Sequence, residues 1–440
     1  MQSRLVLTPM QPSGNGAGPW YRGITRYQWL VLSVAMLGWI FDIADSAVFN
    51  FTKIPMLTEI LGKAQYDLVG KQIEGNIQTL FLLGWSIGGL FFGILADRWG
   101  RTRTLCVTIL LYSMLTALTA ACQTVGQVEI MRFLTALGIG GEWAAGAALI
   151  AEVFPDKARA PAASLLQSAA AIGPVLAGIA NQALAAESWR ILYFLGALPA
   201  LITVVVRFYV PEPEKSKKAE ARSDAGSLKA LFSNPQWRRF TIIAMVIGIV
   251  GIAGANNLSF WMPNLVKDAS TGLADAAVRS RTSIVTYYMH VGTLLGVFLF
   301  PWLCQRIGRK PSFAIFFLMS PIVLAIATWT GTGYERLLWQ APLASFFIIG
   351  LTAGYPLYLP ELFPAHLRAT GAGLAYNVGR LATIPVPKIT ASLIAGMGNS
   401  VPAGIFTAAL AYVIGLVAIP FAPETKGKGL PDEDLEPAPA

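Results

Sequence analysis

The sequence predicts an all-α membrane protein with twelve transmembrane helices in two six-helix bundles. Three observations predict it. The 440 residues are 55% hydrophobic and only 13% charged, where a soluble chain carries about a quarter charged residues. Mean hydropathy is +0.56. Apolar runs recur along the chain, each long enough to cross a hydrocarbon core of about 30 Å at about 1.5 Å per helical residue.

Residues 1–27 contain Arg4, Pro9, Pro12 and several glycines, with no short apolar core before a small-residue cleavage site. They read as a cytosolic tail and not as a signal peptide. Six spans follow within a bundle at 28–210: Trp29–Phe51, Asn76–Ala96, Leu105–Ala121, Val128–Val153, Ala163–Leu184 and Ile191–Val210. The polar interval 211–237, with "PEPEKSKKAEARSDAGS", reads as a cytosolic linker with one surface helix around Leu228–Phe232. Six more spans fill 238–422: Phe240–Val266, Ser283–Cys304, Ser312–Thr330, Leu338–Leu362, Ala369–Gly396 and Ala403–Phe421. A cytosolic tail, 423–440, closes the chain.

The net charge of +9 is a matter of orientation. Lys and Arg concentrate on the side of the spans that carries both termini, which places that side in the cytoplasm of a cell (inner) membrane. No nucleic-acid partner is needed to explain them. Cys106, Cys122 and Cys304 lie in or at the ends of spans without paired spacing, so neither a disulfide framework nor a metal site is expected. No phosphate-binding loop of the G-x-x-x-x-G-K-[ST] type is present, which disfavours ATP drive. No cofactor, no enzymatic chemistry and no second copy of the chain is called for.

Landmarks recur across the two halves at one nearly constant offset. "DRWGRT" (Asp97–Thr102) answers to "QRIGRK" (Gln305–Lys310), "EVFPDKAR" (Glu152–Arg159) to "ELFPAHLR" (Glu361–Arg368), and "PEP" (Pro211–Pro213) to "PET" (Pro423–Thr425). This implies a parallel repeat about an axis normal to the membrane. "GILADRWGRTR" (Gly93–Arg103) resembles the signature loop of the major facilitator superfamily. "RFLTALGIGGEW", "AEVFPDKAR", "YLPELFPAHLRATGAG" and "APETKG" resemble landmarks of its sugar-porter and organic-acid symporter branches. The resemblance covers nearly the whole chain and implies two bundles rocking around a central site. Gln305 replaces the usual acid of the second loop, so an asymmetric inner gate is expected. The gate candidates are Asp97, Arg98, Arg101, Glu152 and Arg159, mirrored by Arg306, Arg309, Glu361 and Arg368.

Charges inside the spans need reasons, since each costs about 2.5–3.5 kcal/mol at a helix centre. Asp42 and Asp45 share one face of the first span, at a depth that overlaps Arg132 on the fourth. A carboxylate beside an arginine in low dielectric holds a conditional proton, so this cluster is the proton-coupling candidate. The resemblance supports it, because proton symporters of the sugar-porter branch carry an acid on the first helix and an arginine placed as Arg132 is relative to Glu152. The D-x-x-D pattern is closer to that of aromatic-acid:proton symporters. Glu142 lies roughly 15 Å above Glu152, near mid-span, where it is a substrate-binding candidate facing the cavity or, alternatively, is protonated against a neighbouring helix.

In the second half, Arg380 lies roughly 18 Å beyond Arg368, with no acid elsewhere in those spans above the edge residue Glu361. A guanidinium without a fixed counter-ion invites an anionic ligand, gripped bidentately, with Tyr376 and Asn377 on the same face. The spacing from Arg368 to Arg380 resembles that of sialate symporters and organic-anion transporters. Asn257, Tyr287 and His290, with Trp143, Trp261 and Tyr288, could also line a cavity. Against sugar-porter positions, Gln167 and Asn256 match, but a second glutamine falls on Pro174 and a glutamine pair on Val250 and Gly251, so a sugar cargo is disfavoured. The expected function is proton symport of a small organic carboxylate. A proton antiporter for drugs or metabolites, a sugar symporter and a non-transporting sensor are the alternatives.

Overall fold

The computed structural model describes residues 19–184, 188–201, 210–213, 216–217, 222–331, 333–398 and 400–431. The expected tails and linker, the sixth span and its Arg207 therefore fall partly or wholly outside the described residues. Among these residues the regular elements are all helical. The first half contains α1 (Arg26–Leu61), α2 (Lys63–Trp99), α3 (Arg101–Thr119), α4 (Val125–Val153), α5 (Asp156–Leu184) and α6 (Trp189–Leu195). The linker carries α7 (Leu228–Ser233). The second half contains α8 (Pro235–Asp268), α9 (Asp275–Ile307), α10 (Arg309–Thr330), α11 (Tyr334–Ile348), α12 (Tyr355–Glu361), α13 (Arg368–Ala382), α14 (Val386–Gly396), α15 (Val401–Ala409) and α16 (Tyr412–Ala418). Ten helical stretches among the described residues are long and apolar enough to cross a membrane. With the sixth and eleventh expected spans they make the twelve-helix arrangement in two bundles.

Local chemistry sets the helix starts. Thr25 and Gln28 form a reciprocal capping box at α1, and Thr124 and Gln127 repeat it at α4. Asn234 caps α8 ahead of Pro235, whose missing N–H costs nothing at the first helical position. The turns between α2 and α3 and between α9 and α10 each hinge on one glycine, Gly100 at φ 106° and Gly308 at φ 104°. Only glycine takes that conformation without strain, so the repeated "GR" of the two loops is a geometric requirement.

Some expected spans are segmented. Ala369–Gly396 is not one helix but two, α13 and α14. Pro385 and Pro387 lack the N–H groups that would reach the Leu381 and Thr383 carbonyls, and the chain tightens at Thr383, whose N–H and Oγ1 both donate to the Arg380 carbonyl at 3.0 and 2.6 Å. Leu338–Leu362 likewise passes from α11 through a 3-10 turn at Gly350–Gly354 into α12.

α4 and α13 are the central helices. Every residue of α4 from Gly138 to Ala151 is buried, as is nearly all of α13, the mark of a helix surrounded by protein. α13 packs on α2 and α4 across the bundle boundary, and α9 packs on α5. These crossings position the site.

Candidate functional site

Four helices meet at mid-depth. α1 brings Gly38, Trp39, Asp42 and Asp45; α2 brings Trp85 and Gly89; α4 brings Arg132, Glu142 and Trp143; α13 brings Tyr376, Asn377 and Arg380. The Arg380 guanidinium lies flat over the Trp85 ring, 3.5 Å from its centroid, and 4.8 Å from that of Tyr376. It donates to Asn377 Oδ1 and Tyr376 Oη at 3.4 Å each. Among the described residues no carboxylate lies within ion-pair distance of it, and it is 6% exposed. A Cβ built on Gly89 would stand 2.0 Å from Asn377 Nδ2, so α13 seats Asn377 in a notch that only glycine provides. Trp143 and Tyr376 stack face to face, centroids 3.9 Å apart and planes 12° apart. One ring comes from each bundle.

The expected Asp42, Asp45 and Arg132 cluster divides. Arg132 donates to Asp45 Oδ2 at 2.7 Å, and Thr116 donates to Asp45 Oδ1 at 2.9 Å. The Arg132 guanidinium also lies against the Phe81 and Phe49 rings. Asp42 is not on Arg132. It is fully buried and neither oxygen accepts a hydrogen bond, and its neighbours are Glu142 and Arg380. The three-residue step that puts both acids on one helix face still spreads them along the axis, and Arg132 reaches only the outer one.

Other cavity candidates do not join the Arg380 group. Tyr287 and Tyr288 on α9 are 58% and 48% exposed, Asn256 is exposed and His290 is half-buried. Asn257 is buried but bonds Thr390 on α14 at 2.9 Å. Gln167 donates to Thr352 across the bundles at 3.1 Å.

On the linker side, the gate candidates form a buried ionic network between the halves. Glu152 Oε1 accepts from Arg101 at 3.1 Å and from Arg368 at 2.7 Å, all three side chains fully buried. Asp97 pairs with Arg101 at 2.9 Å and accepts from Ala369 N, Thr370 N and Thr370 Oγ1 at the start of α13. Arg101 also donates to the Ala365 carbonyl. Glu361 is held bidentately by Arg309 at 2.7 and 3.1 Å, by Thr425 at 2.6 Å and, from the other bundle, by Arg159 at 3.4 Å. Gln305, standing where the second acid would, makes one neutral bond to the Lys157 carbonyl. Two candidates lie outside this network: Arg98 donates to the linker at Ala225, and exposed Arg306 covers the Trp302 ring.

The paired glycine-hinged loops, the segmented eleventh span and the ionic network coincide with a family model described as "Major Facilitator Superfamily", which matches residues 34–387. The chain belongs to the major facilitator superfamily. It is a multi-pass membrane transporter and not an enzyme. It is similar to a "Probable 4-methylmuconolactone transporter" of Cupriavidus pinatubonensis, 31% identical over 93% of each chain. It is also similar to the "Cis,cis-muconate transport protein" of Acinetobacter baylyi, 28% identical over 86% of this chain and 90% of that one. Among solved structures, the proton:xylose symporter XylE superposes with a TM-score of 0.71 at 20% identity, over 92% of this chain and 98% of that one. That likeness concerns the fold alone.

Sequence reasoning missed several residues that this major facilitator uses, one at the centre and two on the linker side. Trp85 gives no signal in an apolar run, although its glycine-rich neighbours mark close helix packing. Glu212 and Glu424, seen only as parts of repeated landmarks, are helix caps. Glu212 accepts from the Arg101 and Thr102 N–H groups at α3, and Glu424 from those of Arg309 and Lys310 at α10. The repeat therefore has a physical reason: each carboxylate closes the first turn of the helix that follows a glycine hinge.

Proposed function

We propose that this transporter moves a small organic carboxylate by proton symport, with alternating access, across a cell membrane whose cytoplasmic face carries both termini. One observation carries the reading. Arg380 is a mid-depth guanidinium, braced on the Trp85 face and touched by two neutral polar groups, with no carboxylate among the described residues in ion-pair contact. Such a group keeps donors for an anion, and an unpaired charge at that depth reads as a functional site. The aromatic faces of Trp85, Trp143 and Tyr376 suit a flat or conjugated acid. The names of the relatives, transporters of a muconolactone and of muconate, agree with that chemistry.

The ionic network on the linker side supports a state closed toward the cytoplasm. Every inter-bundle bond described above lies on that side or at mid-depth, which leaves entry from the opposite face. The Asp45–Arg132 pair and the neighbouring Asp42 supply the proton-coupling machinery.

Uptake of labelled cis,cis-muconate, 4-hydroxybenzoate, N-acetylneuraminate and lactate into proteoliposomes tests this. At least one acid should accumulate under an inward proton gradient and collapse with a protonophore, and Arg380→Ala should abolish the signal. Undiminished uptake by the variant refutes the role of Arg380. Efflux driven by the same gradient establishes antiport instead.

A further inference from the structure

The linker-side end of the second half carries a groove that neither the cargo site nor the ionic network uses. It encloses about 430 Å³ between the first turns of α8 and the last span, α16 with its closing 3-10 turn Ile419–Phe421. Arg238, Ile242 and Val246, at four-residue steps on one face of α8, form one wall together with Arg239. Ala418 and Phe421 form the other. Charge and apolar surface are sorted by depth along it. The two arginines lie at the linker-side mouth, and Val246 lies roughly 10 Å farther into the membrane at about 1.5 Å per residue. Ile242 and Phe421 are 50% and 57% exposed, so the groove opens at the protein surface.

The end of the last span gathers cations at this mouth. Arg239 Nη2 donates to the Phe421 carbonyl at 2.9 Å, and Lys310 Nζ of α10 donates to the adjoining Pro420 carbonyl at 2.8 Å. Each contact engages one donor and leaves others. Arg238 has no hydrogen-bond or ion-pair partner among the described residues. The neighbouring acid, Glu424, is engaged by the N–H groups of Arg309, Lys310 and Lys426. Membrane topology explains why these cations lie on this side, but it gives no reason for an apolar cleft beside them. Elsewhere on that side, exposed Arg306 covers its own Trp302 ring and Arg98 donates to the linker.

We infer that this groove binds an anionic glycerophospholipid of the cytoplasmic leaflet, its phosphate on Arg238 and Arg239 and an acyl chain along Ile242, Val246 and Ala418. Lys310 adds a third positive charge beside the mouth. Guanidinium forks suit phosphate oxygens taken in pairs, and basic pockets between transmembrane helices on the cytoplasmic side suit such headgroups. A free phosphate or an acidic peptide would meet the cations and leave the apolar walls bare. The choice of leaflet rests on the orientation proposed above; the pocket itself does not. A lipid seated there braces the chain just before Glu424, which caps α10, and Thr425, which holds Glu361. Its occupancy therefore bears on the inner gate.

Native mass spectrometry of the full-length protein in neutral detergent, titrated with phosphatidylglycerol or with phosphatidylcholine of the same chains, tests this. The first phosphatidylglycerol should bind more tightly than the first phosphatidylcholine by about tenfold or more. Arg238→Gln combined with Arg239→Gln should remove that preference. Arg22→Gln, at an exposed arginine on the same side of the first half, should keep it. Ile242→Trp, which fills the groove and leaves both charges, should weaken phosphatidylglycerol binding several-fold, and excess glycerophosphate should not displace the lipid. An unchanged preference in the double variant overturns the site, and its loss in Arg22→Gln as well reduces the effect to general surface charge and also overturns it. Undiminished binding in Ile242→Trp, or displacement by glycerophosphate, overturns the lipid as occupant in favour of a bare anion. A preference that emerges only after removal of residues 432–440 assigns the cations to that acidic segment, with Asp432, Glu433, Asp434 and Glu436, and overturns the proposal. None of these readouts involves transport, so the result is independent of which acid the protein carries.

Discussion

A guanidinium held among aromatic rings at membrane depth must satisfy either its N–H donors or its faces. Arg380 satisfies chiefly its faces: Trp85 lies under it at 3.5 Å, and its two polar contacts are long. Planarity is thus as important as charge, and lysine cannot supply it. Arg380→Lys should weaken cargo binding by roughly tenfold or more, measured as a rise in the half-saturating concentration for uptake, and Trp85→Leu should shift it in the same direction. An unchanged half-saturation in both variants would show that the ring stack has no part in anion handling. The sequence made Arg380, Tyr376 and Asn377 legible because an arginine in an otherwise acid-free span stands out and helical spacing places its neighbours. Trp85 was hidden because a tryptophan in an apolar run looks the same whether it packs or braces. The division of Asp42 from Asp45 was hidden too. Spacing gives the helix face, but which partner reaches each acid depends on the axial offset of α4 against α1.

At the scale of helices, the glycine hinges of the two repeated loops were legible as landmarks, whereas the acids that cap the following helices were not, since each acts across more than a hundred residues of chain. Glu424 shows what such a cap does. Partial burial pushes its carboxyl up, but the backbone N–H groups of Arg309, Lys426 and Lys310, with the Arg309 charge, outweigh this and hold it below its ordinary value. A carboxyl depressed in the folded state stabilises the fold above its unfolded value, about 4.3, and loses that contribution as pH falls through the folded value. Glu424→Gln should therefore lower the thermal midpoint at neutral pH, by the equivalent of about 1 kcal/mol. The gap to the parent should close on titration below about pH 4. A gap that stays constant down to strong acid would exclude the charged cap. The broken eleventh span shows the reverse case. Its two prolines are plain in the sequence, yet hydropathy alone reads straight through them.

For the whole molecule, carboxylates shared between the bundles tie the two halves together on the linker side, the contacts proposed above to close it. Glu152 is the hinge of that arrangement, because it joins Arg101 of one half to Arg368 of the other. Replacing it leaves a buried guanidinium without its counter-charge, a strongly unfavourable state that opening to water relieves. Spin labels at positions 157 and 306, on the linker-side ends of opposite bundles, should report a new population at longer separation in Glu152→Gln; an unaltered distance distribution would mean that the network does not hold the halves together. The asymmetry expected from Gln305 bears on the same balance, since one loop locks onto α13 through a carboxylate and the other touches α5 through a single amide. The Trp143–Tyr376 stack sets a further condition. With one plate from each half already in van der Waals contact, a third plate between them requires two contacts of about 3.5–4 Å in place of one. The passage can then discriminate by thickness as well as by charge: a thin, conjugated molecule asks the halves to part by a single layer, while a puckered ring of the same charge asks for more.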